Sequence, residues 1–301
     1  MRLAPPTAIL VALAGLAACE EPFDVDLEGR VAHIVVEANL ESGEAPLVGV
    51  RAVDVYGDPA VDAALAESFV TLENSDGRTF ELPLVDDASP ADSLARFLAP
   101  DEVIVAGTSY RLRVETPGFA RLRSETTVPP RAGLAVARAR PDSSGYLPAV
   151  YDSLDGHYSI GLLIEDPGPA VDRYHLLARC IGEDGRATAI PFLLARNVAE
   201  VENLGRRGAL LTDVAFERGR FDNRLLVDAG VLESHGATAL LVEVRVVSEP
   251  YFDRLADEGA GGQRVGAPLP DVAGHSDDNI AGGRGLFASY SSSREVWRLE
   301  R

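Results

Sequence analysis

The sequence predicts a mostly β protein: an N-terminal immunoglobulin-like antiparallel sandwich over residues 31–129, then a β-rich C-terminal domain with one or two short helices over 130–301. Three observations lead there. Apolar residues recur with period two along most of the chain, the spacing of strands with one face buried. Turn-forming clusters such as Asn74-Ser75-Asp76-Gly77 and Gly182-Glu183-Asp184-Gly185 separate the runs. Pro129-Pro130-Arg131 stiffens the chain and ends strand pairing near its middle.

In order, Ala32, Ile34, Val36, Ala38 and Leu40 form one face of a first strand, with His33, Glu37 and Asn39 on the other. Leu47 to Tyr56 alternates in the same way. Phe69–Glu73 and Arg78–Leu82 flank the first turn cluster as a hairpin. Tyr110–Glu115 and Ala120–Val128 follow, separated by Thr116-Pro117-Gly118. About seven short strands at this spacing are the pattern of a sandwich. Beyond the prolines, Tyr158–Glu165, Arg173–Ile181 and Ala187–Leu194 read as strands. Ala237–Val247 has the strongest alternation in the chain. Ser248-Glu249-Pro250-Tyr251 reads as a helix start: a capping residue, an acid at the positive end, and a proline where its missing N–H costs nothing. Leu286 opens a last strand.

The N-terminus has the anatomy of a bacterial lipoprotein signal over residues 1–18. Arg2 precedes an apolar stretch, and Leu16-Ala17-Ala18 leads into Cys19. Cleavage there leaves Cys19 to carry lipid, with an acidic tether over 19–30. A plain secretory signal is the alternative. The apolar stretch falls short of the ~20 residues a spanning helix needs, whereas acyl chains at about 0.8 kcal/mol per buried methylene hold a domain on a bilayer without one.

The net charge of −19 becomes −20 once Arg2 leaves with the signal, which contains no acid. Such a field repels nucleic acid and anionic headgroups, so nucleic acid is excluded as a partner. All 28 basic residues are arginine. Without lysine there is no Walker A loop, pyridoxal Schiff base or serine–lysine dyad. With Cys19 acylated, Cys180 has no disulfide partner and reads as a small buried hydrophobe.

No catalytic motif emerges. The five histidines, His33, His157, His175, His235 and His275, form no zinc-protease pair; His33 and His175 lie in strands and read as structural. His275-Ser276-Asp277-Asp278-Asn279 is the one dense polar loop cluster. It reads as a solvated turn with Asn279 satisfying local backbone, or as a calcium site on Asp277, Asp278 and a carbonyl. Gly282-Gly283-Arg284-Gly285 precedes a strand, so tight backbone geometry explains it better than a phosphate loop does. Tyr146, Tyr151 and Tyr158 are candidates for stacking on a ligand or for packing.

Several pieces together resemble one family. They are Cys19-Glu20-Glu21-Pro22-Phe23, His33-Ile34-Val35-Val36-Glu37-Ala38, Gly107-Thr108-Ser109-Tyr110-Arg111-Leu112-Arg113-Val114, Ser248-Glu249-Pro250-Tyr251, and Asn279-Ile280-Ala281-Gly282-Gly283-Arg284-Gly285-Leu286-Phe287. The family is the domain-of-unknown-function 4249 family of Bacteroidota outer-membrane lipoproteins. The resemblance implies an outer-membrane protein, surface-exposed if Glu20-Glu21 favours display, and an accessory role beside a TonB-dependent receptor. It assigns no catalytic residue and no cofactor. The expected function is a non-enzymatic accessory or ligand-binding subunit. The alternatives are a structural or adhesive envelope lipoprotein and, behind it, a carboxylate-dependent hydrolase.

Overall fold

The computed structural model describes residues 33–53, 59–85, 94–135, 147–152, 156–166, 168, 172–196, 201–261 and 278–299. The leader, Cys19, the tether, Tyr146, His275 and Asp277 lie outside the described residues. The protein is mostly β, as the periodicity predicts.

The N-terminal lobe is a two-sheet sandwich. Strands β1 (His33–Glu41), β2 (Leu47–Val53) and β5 (Leu94–Leu98) form one layer. The other runs β4 (Thr79–Leu82), β3 (Phe69–Asn74), β6 (Ser109–Glu115), β7 (Leu122–Thr127). Ile34, Val36, Ala38 and Leu40 face inward from β1 onto Leu72, Leu112 and Val114. The β3–β4 turn is built by Asn74, whose side-chain oxygen accepts from the N–H groups of Asp76 and Arg78 at 3.1 and 2.9 Å. An unforeseen helix, α1 (Pro59–Ala66), starts on a proline and packs Leu65 into the core.

The C-terminal lobe is a second sandwich. One layer holds β11 (Arg173–Gly182), β17 (Ala237–Val247), β15 (Ala209–Thr212), β14 (Glu202–Asn203) and β12 (Ala187–Ala189). The facing layer holds β8 (Gly133–Ala135), β9 (Leu147–Asp152), β10 (His157–Glu165), β16 (Arg220–Asp228) and β13 (Leu193–Leu194). Tyr174, Leu176, Val242 and Val244 meet Ile160, Leu162, Phe221 and Leu225 across the core. The run expected as one strand over Ala187–Leu194 divides into β12 and β13, with Ile190 and Phe192 between them turned into the core. Helix α2 (Ala229–Ser234) is capped by Asp228, which accepts from Val231 N–H at 3.0 Å. Helix α3 (Glu249–Gly261) follows β17 as expected.

The last strand, β18 (Arg284–Leu299), belongs to both lobes. Residues 284–290 run parallel to β1, and residues 290–298 pair antiparallel with β17. Ile280 and Phe287 complete the N-terminal core, whereas Trp297 sits in the C-terminal one. The boundary read at Pro129–Arg131 therefore separates two cores but not two sheets, and His33–Arg301 forms one compact unit. Between the cores, three serines on the inward face of β18 hold the crossing chain. Ser289 donates to Thr127 O at 2.9 Å, Ser291 to Pro129 O at 2.5 Å, and Ser293 to Ala132 O at 2.7 Å.

The segment before β18 locks this arrangement. Asn279 exchanges two hydrogen bonds with the Phe287 backbone, at 2.7 and 2.9 Å. Gly285 adopts φ +119°, and a Cβ there would overlap the Val36 backbone. Gly283 packs so tightly on Leu122 and the Ile34 carbonyl that a side chain would collide with both. The glycines thus serve backbone approach, as their position before a strand suggests.

We expect Gly285→Ala to cost at least about 3 kcal/mol, since it meets both strain and overlap. Gly77→Ala, at φ +80° with nothing within 4 Å, should cost only about 1 kcal/mol. Urea denaturation of the two variants measures the difference.

Candidate functional site

Alternation that sends Val242, Val244 and Val246 inward sends Glu243, Arg245 and Val247 to the outer face of β17. On β11 the same rule turns His175 and Arg179 outward, and on β18 it turns Tyr290, Ser292 and Arg294 outward. Helix α3 lies over this face. Ser248 makes the corner: its hydroxyl accepts from Ser289 N–H at 3.0 Å, and its carbonyl accepts from Phe252 N–H at 3.1 Å. One residue thus closes the ladder and opens the helix. Tyr251, Val247 and Ala288 form a small core there, joined by Phe252, Leu255 and Leu286.

Under the helix lies a connected polar network. Glu243 is fully buried. Its Oε1 accepts from Arg245 at 2.8 Å and from Arg294 at 3.2 Å, and its Oε2 faces Arg179 at 3.5 Å. Burial pushes this carboxyl up, but Arg245, Arg294 and Arg179 outweigh it and hold Glu243 below its ordinary range. Arg245 also stacks 4.4 Å from the Tyr290 ring centroid. Arg294 extends the network to Glu41, at 2.6 Å, which accepts in addition from Tyr290 and Ser292 at 2.8 and 2.6 Å.

A second branch has a defined direction. Arg245 donates to the Tyr251 hydroxyl at 2.8 Å. His175 Nε2 lies 2.6 Å from the Arg207 carbonyl, which can only accept, so Nε2 carries the proton. Nδ1 is then free to accept from Tyr251 O–H at 3.1 Å. Burial lowers the His175 pKa to about 4, with Arg245 and Arg179 contributing, so the ring is neutral near pH 7.

Two hollows flank the network. One, of about 420 Å³, opens beside Glu41, Arg131 and Arg294. The other, of about 470 Å³, lies between α3 and the outer face of β1, β2 and the start of β18. The helix presents Tyr251, Arg254, Leu255 and Glu258 to it, the i, i+3, i+4, i+7 set of one helical face.

A family model described as "Domain of unknown function (DUF4249)" matches residues 20–295. The chain belongs to this family. No curated protein matches it. A solved structure of a DUF4785 family protein from Legionella pneumophila is similar at 14% identity and a TM-score of 0.25, covering 73% of this chain and 54% of that one. The chain thus spans about half the length of that protein.

The motifs by which this DUF4249 chain resembled its family have structural work in the fold. Asn279, Ile280, the glycines and Phe287 dock β18, and Ser248 and Tyr251 seat α3. Asp278 Oδ1 accepts from Gly285 N–H at 2.8 Å. Among the described residues, no group of three or more His, Cys, Asp or Glu side chains is placed to hold a metal. Cys180 is buried in the C-terminal core, which pushes its thiol pKa up. Tyr158 packs partly buried against that core, and His33 lies on β1 opposite Val53. The Glu243–His175–Tyr251 network was not anticipated. Its signal was present: Glu243 and Arg245 interrupt the outward face of the most apolar strand in the chain.

One more acidic group stands apart. Asp172 is buried near Asp166 and Asp213, and its Oδ2 has no hydrogen-bond partner among the described residues. Burial, then the charges of Asp166 and Asp213, raises its pKa to about 6.

Two pH effects of opposite sign follow. His175 stays neutral in the fold until about pH 4 but protonates near 6.5 when unfolded, so its stabilising contribution is present above pH 6.5 and is lost as pH falls toward 4. Asp172 ionises near pH 6 in the fold and near 3.8 when unfolded, so its cost is absent below about pH 4 and grows as pH rises to 6. Asp172→Asn should raise stability at pH 7 by about 1–3 kcal/mol, at about 1.4 kcal/mol per unit of pKa, and the gain should vanish at pH 4. His175→Gln should flatten the loss between pH 6.5 and 4. Urea midpoints across this range check both. Glu243→Gln leaves three guanidinium groups together and should cost roughly 3–5 kcal/mol at pH 7, read by the same measurement.

Proposed function

We propose that this chain is a non-enzymatic, lipid-anchored outer-membrane protein that serves a TonB-dependent transporter as an accessory or ligand-binding subunit. The observation that carries the reading is Cys19, which ends the leader's Leu16-Ala17-Ala18 and opens an acidic tether. The family match begins at residue 20, immediately after that cysteine. A non-enzymatic role is supported by the state of the most engaged carboxylate. Glu243 is held ionised by three arginines, whereas a general acid needs its proton held into the neutral range; Asp172, the carboxyl whose pKa is raised to about 6, lines neither hollow beside the network. A docking role is supported by apolar side chains on the N-terminal lobe. Val103 and Val105 are more than half exposed and flank Ile104, which hydrogen-bonds to residues 43 and 44 shortly before the exposed Leu47. No cofactor is part of this reading, and the lipid on Cys19 is its only prosthetic group.

The test is a pull-down of the tagged, lipidated protein from gently solubilised membranes, with identification of what co-purifies. A TonB-dependent receptor in stoichiometric amount is the expected result. Recovery of the protein alone, at both low and high salt, contradicts a stable complex and favours a free-standing envelope protein.

A further inference from the structure

We infer that the cleft between α3 and strands β1 and β2 is a binding site for a small carboxylate carried on an apolar body. The cleft holds about 470 Å³, within the size range of small-ligand pockets. Apolar side chains stand on both walls among the charges: Val35, Val53 and Leu286 from the sheet, Leu255 from the helix. Guanidinium groups stand on its two sides.

Arg51 and Arg254 are each engaged by a carboxylate through one nitrogen. Arg51, on β2, donates through NH2 to Glu37 at 2.9 Å, while its Nε is buried without a hydrogen-bond partner among the described residues. The Arg51 side chain as a whole is 43% exposed, so a carboxylate in the cleft meets the guanidinium at its terminal nitrogens. Arg254, on α3, engages Glu258 through Nε at 2.7 Å, and no bond to its terminal nitrogens is seen among the described residues. Carboxylates also line the cleft, two of them paired with arginine and the third bonded to backbone. Glu258 is shared with Arg207 at 3.0 Å, Glu37 holds Arg51, and Asp278 accepts from Gly285. The lining therefore contains Arg51, Arg254 and Arg284 against Glu37, Glu258 and Asp278, a balance of zero in a chain of net charge −19. This is a place where an anion meets forked donors rather than the repulsion of the whole surface.

The inference shares with the proposed function only that the chain binds rather than transforms. Its test does not involve the transporter, so the two can fail separately. The purified protein is titrated with 4-phenylbutyrate and with its neutral amide, followed by ligand-observed NMR, with protein-free buffer as the blank. The acid should bind at least tenfold more tightly than the amide. Arg51→Gln should remove that preference while leaving amide binding unchanged, and Arg254→Gln should weaken it; Arg113→Gln, on the N-terminal sandwich, should change neither. Thermal unfolding of each variant confirms that it is folded. A tripeptide with a free apolar C-terminus, tested against its amide, separates the two sources of such a carboxylate: stronger competition by the peptide points to peptides, weaker competition to free organic acids. Equal binding of acid and amide, or saturation by neither below 1 mM (about −4 kcal/mol, modest for a ligand of this size), overturns the inference.

Discussion

The parallel pairing of β18 with β1 is the constraint on which the rest of the structure depends. It joins the first described strand to the last, so the β1–β2–β5 sheet of the N-terminal lobe is not complete until β18 has been placed. Phe287 is fully buried in that lobe, and Trp297, ten residues on, is buried in the other. Pairing across most of the chain carries a large loop-closure cost before it is rewarded. The sequence before β18 answers that cost with local order. Asn279 folds the approach onto Phe287, and Gly285 lets the backbone come within reach of Val36 where any side chain would prevent it.

The buried charges follow from the same strand. The outward face of β18 meets that of β17 beneath α3, and the helix removes from water what alternation had placed outside. An ion-paired glutamate in such a place contributes little net stability compared with an apolar residue of the same size, because desolvation cancels most of the attraction. It does demand one arrangement: Glu243 must meet Arg179, Arg245 and Arg294 together. The Arg245–Tyr251–His175 branch then fixes the angle of α3, and the position of α3 defines the cleft beside it. The site is thus a consequence of how the helix is seated, not of a loop.

Much of the fold was legible because burial on one face imposes period two. Ala237–Val247 was read to the residue, and the Asn74–Gly77 hairpin was read from its turn chemistry alone. The reading failed where pattern and environment part. In β16 the inward position Asn223 is polar, yet it is buried and exchanges hydrogen bonds with the Arg196 backbone at 3.0 and 3.2 Å. A polar residue doing the work of a ladder hides a strand. The site was illegible for a different reason. Glu243, His175, Tyr251 and Arg294 come from four elements, and only the register among β11, β17 and β18 brings them together. The family signature pointed instead to the residues that dock β18, which serve the fold.

The central claim is that the two sandwiches form one cooperative unit through β18. Urea unfolding of the intact protein tests it with two probes: fluorescence of Trp297, the sole tryptophan, which reports the C-terminal core, and hydrogen exchange of the β6 amides, which reports the N-terminal one. The account predicts a single midpoint for both. Protection of β6 that outlasts the exposure of Trp297, or that is lost well before it, would contradict the account and make the lobes independent domains.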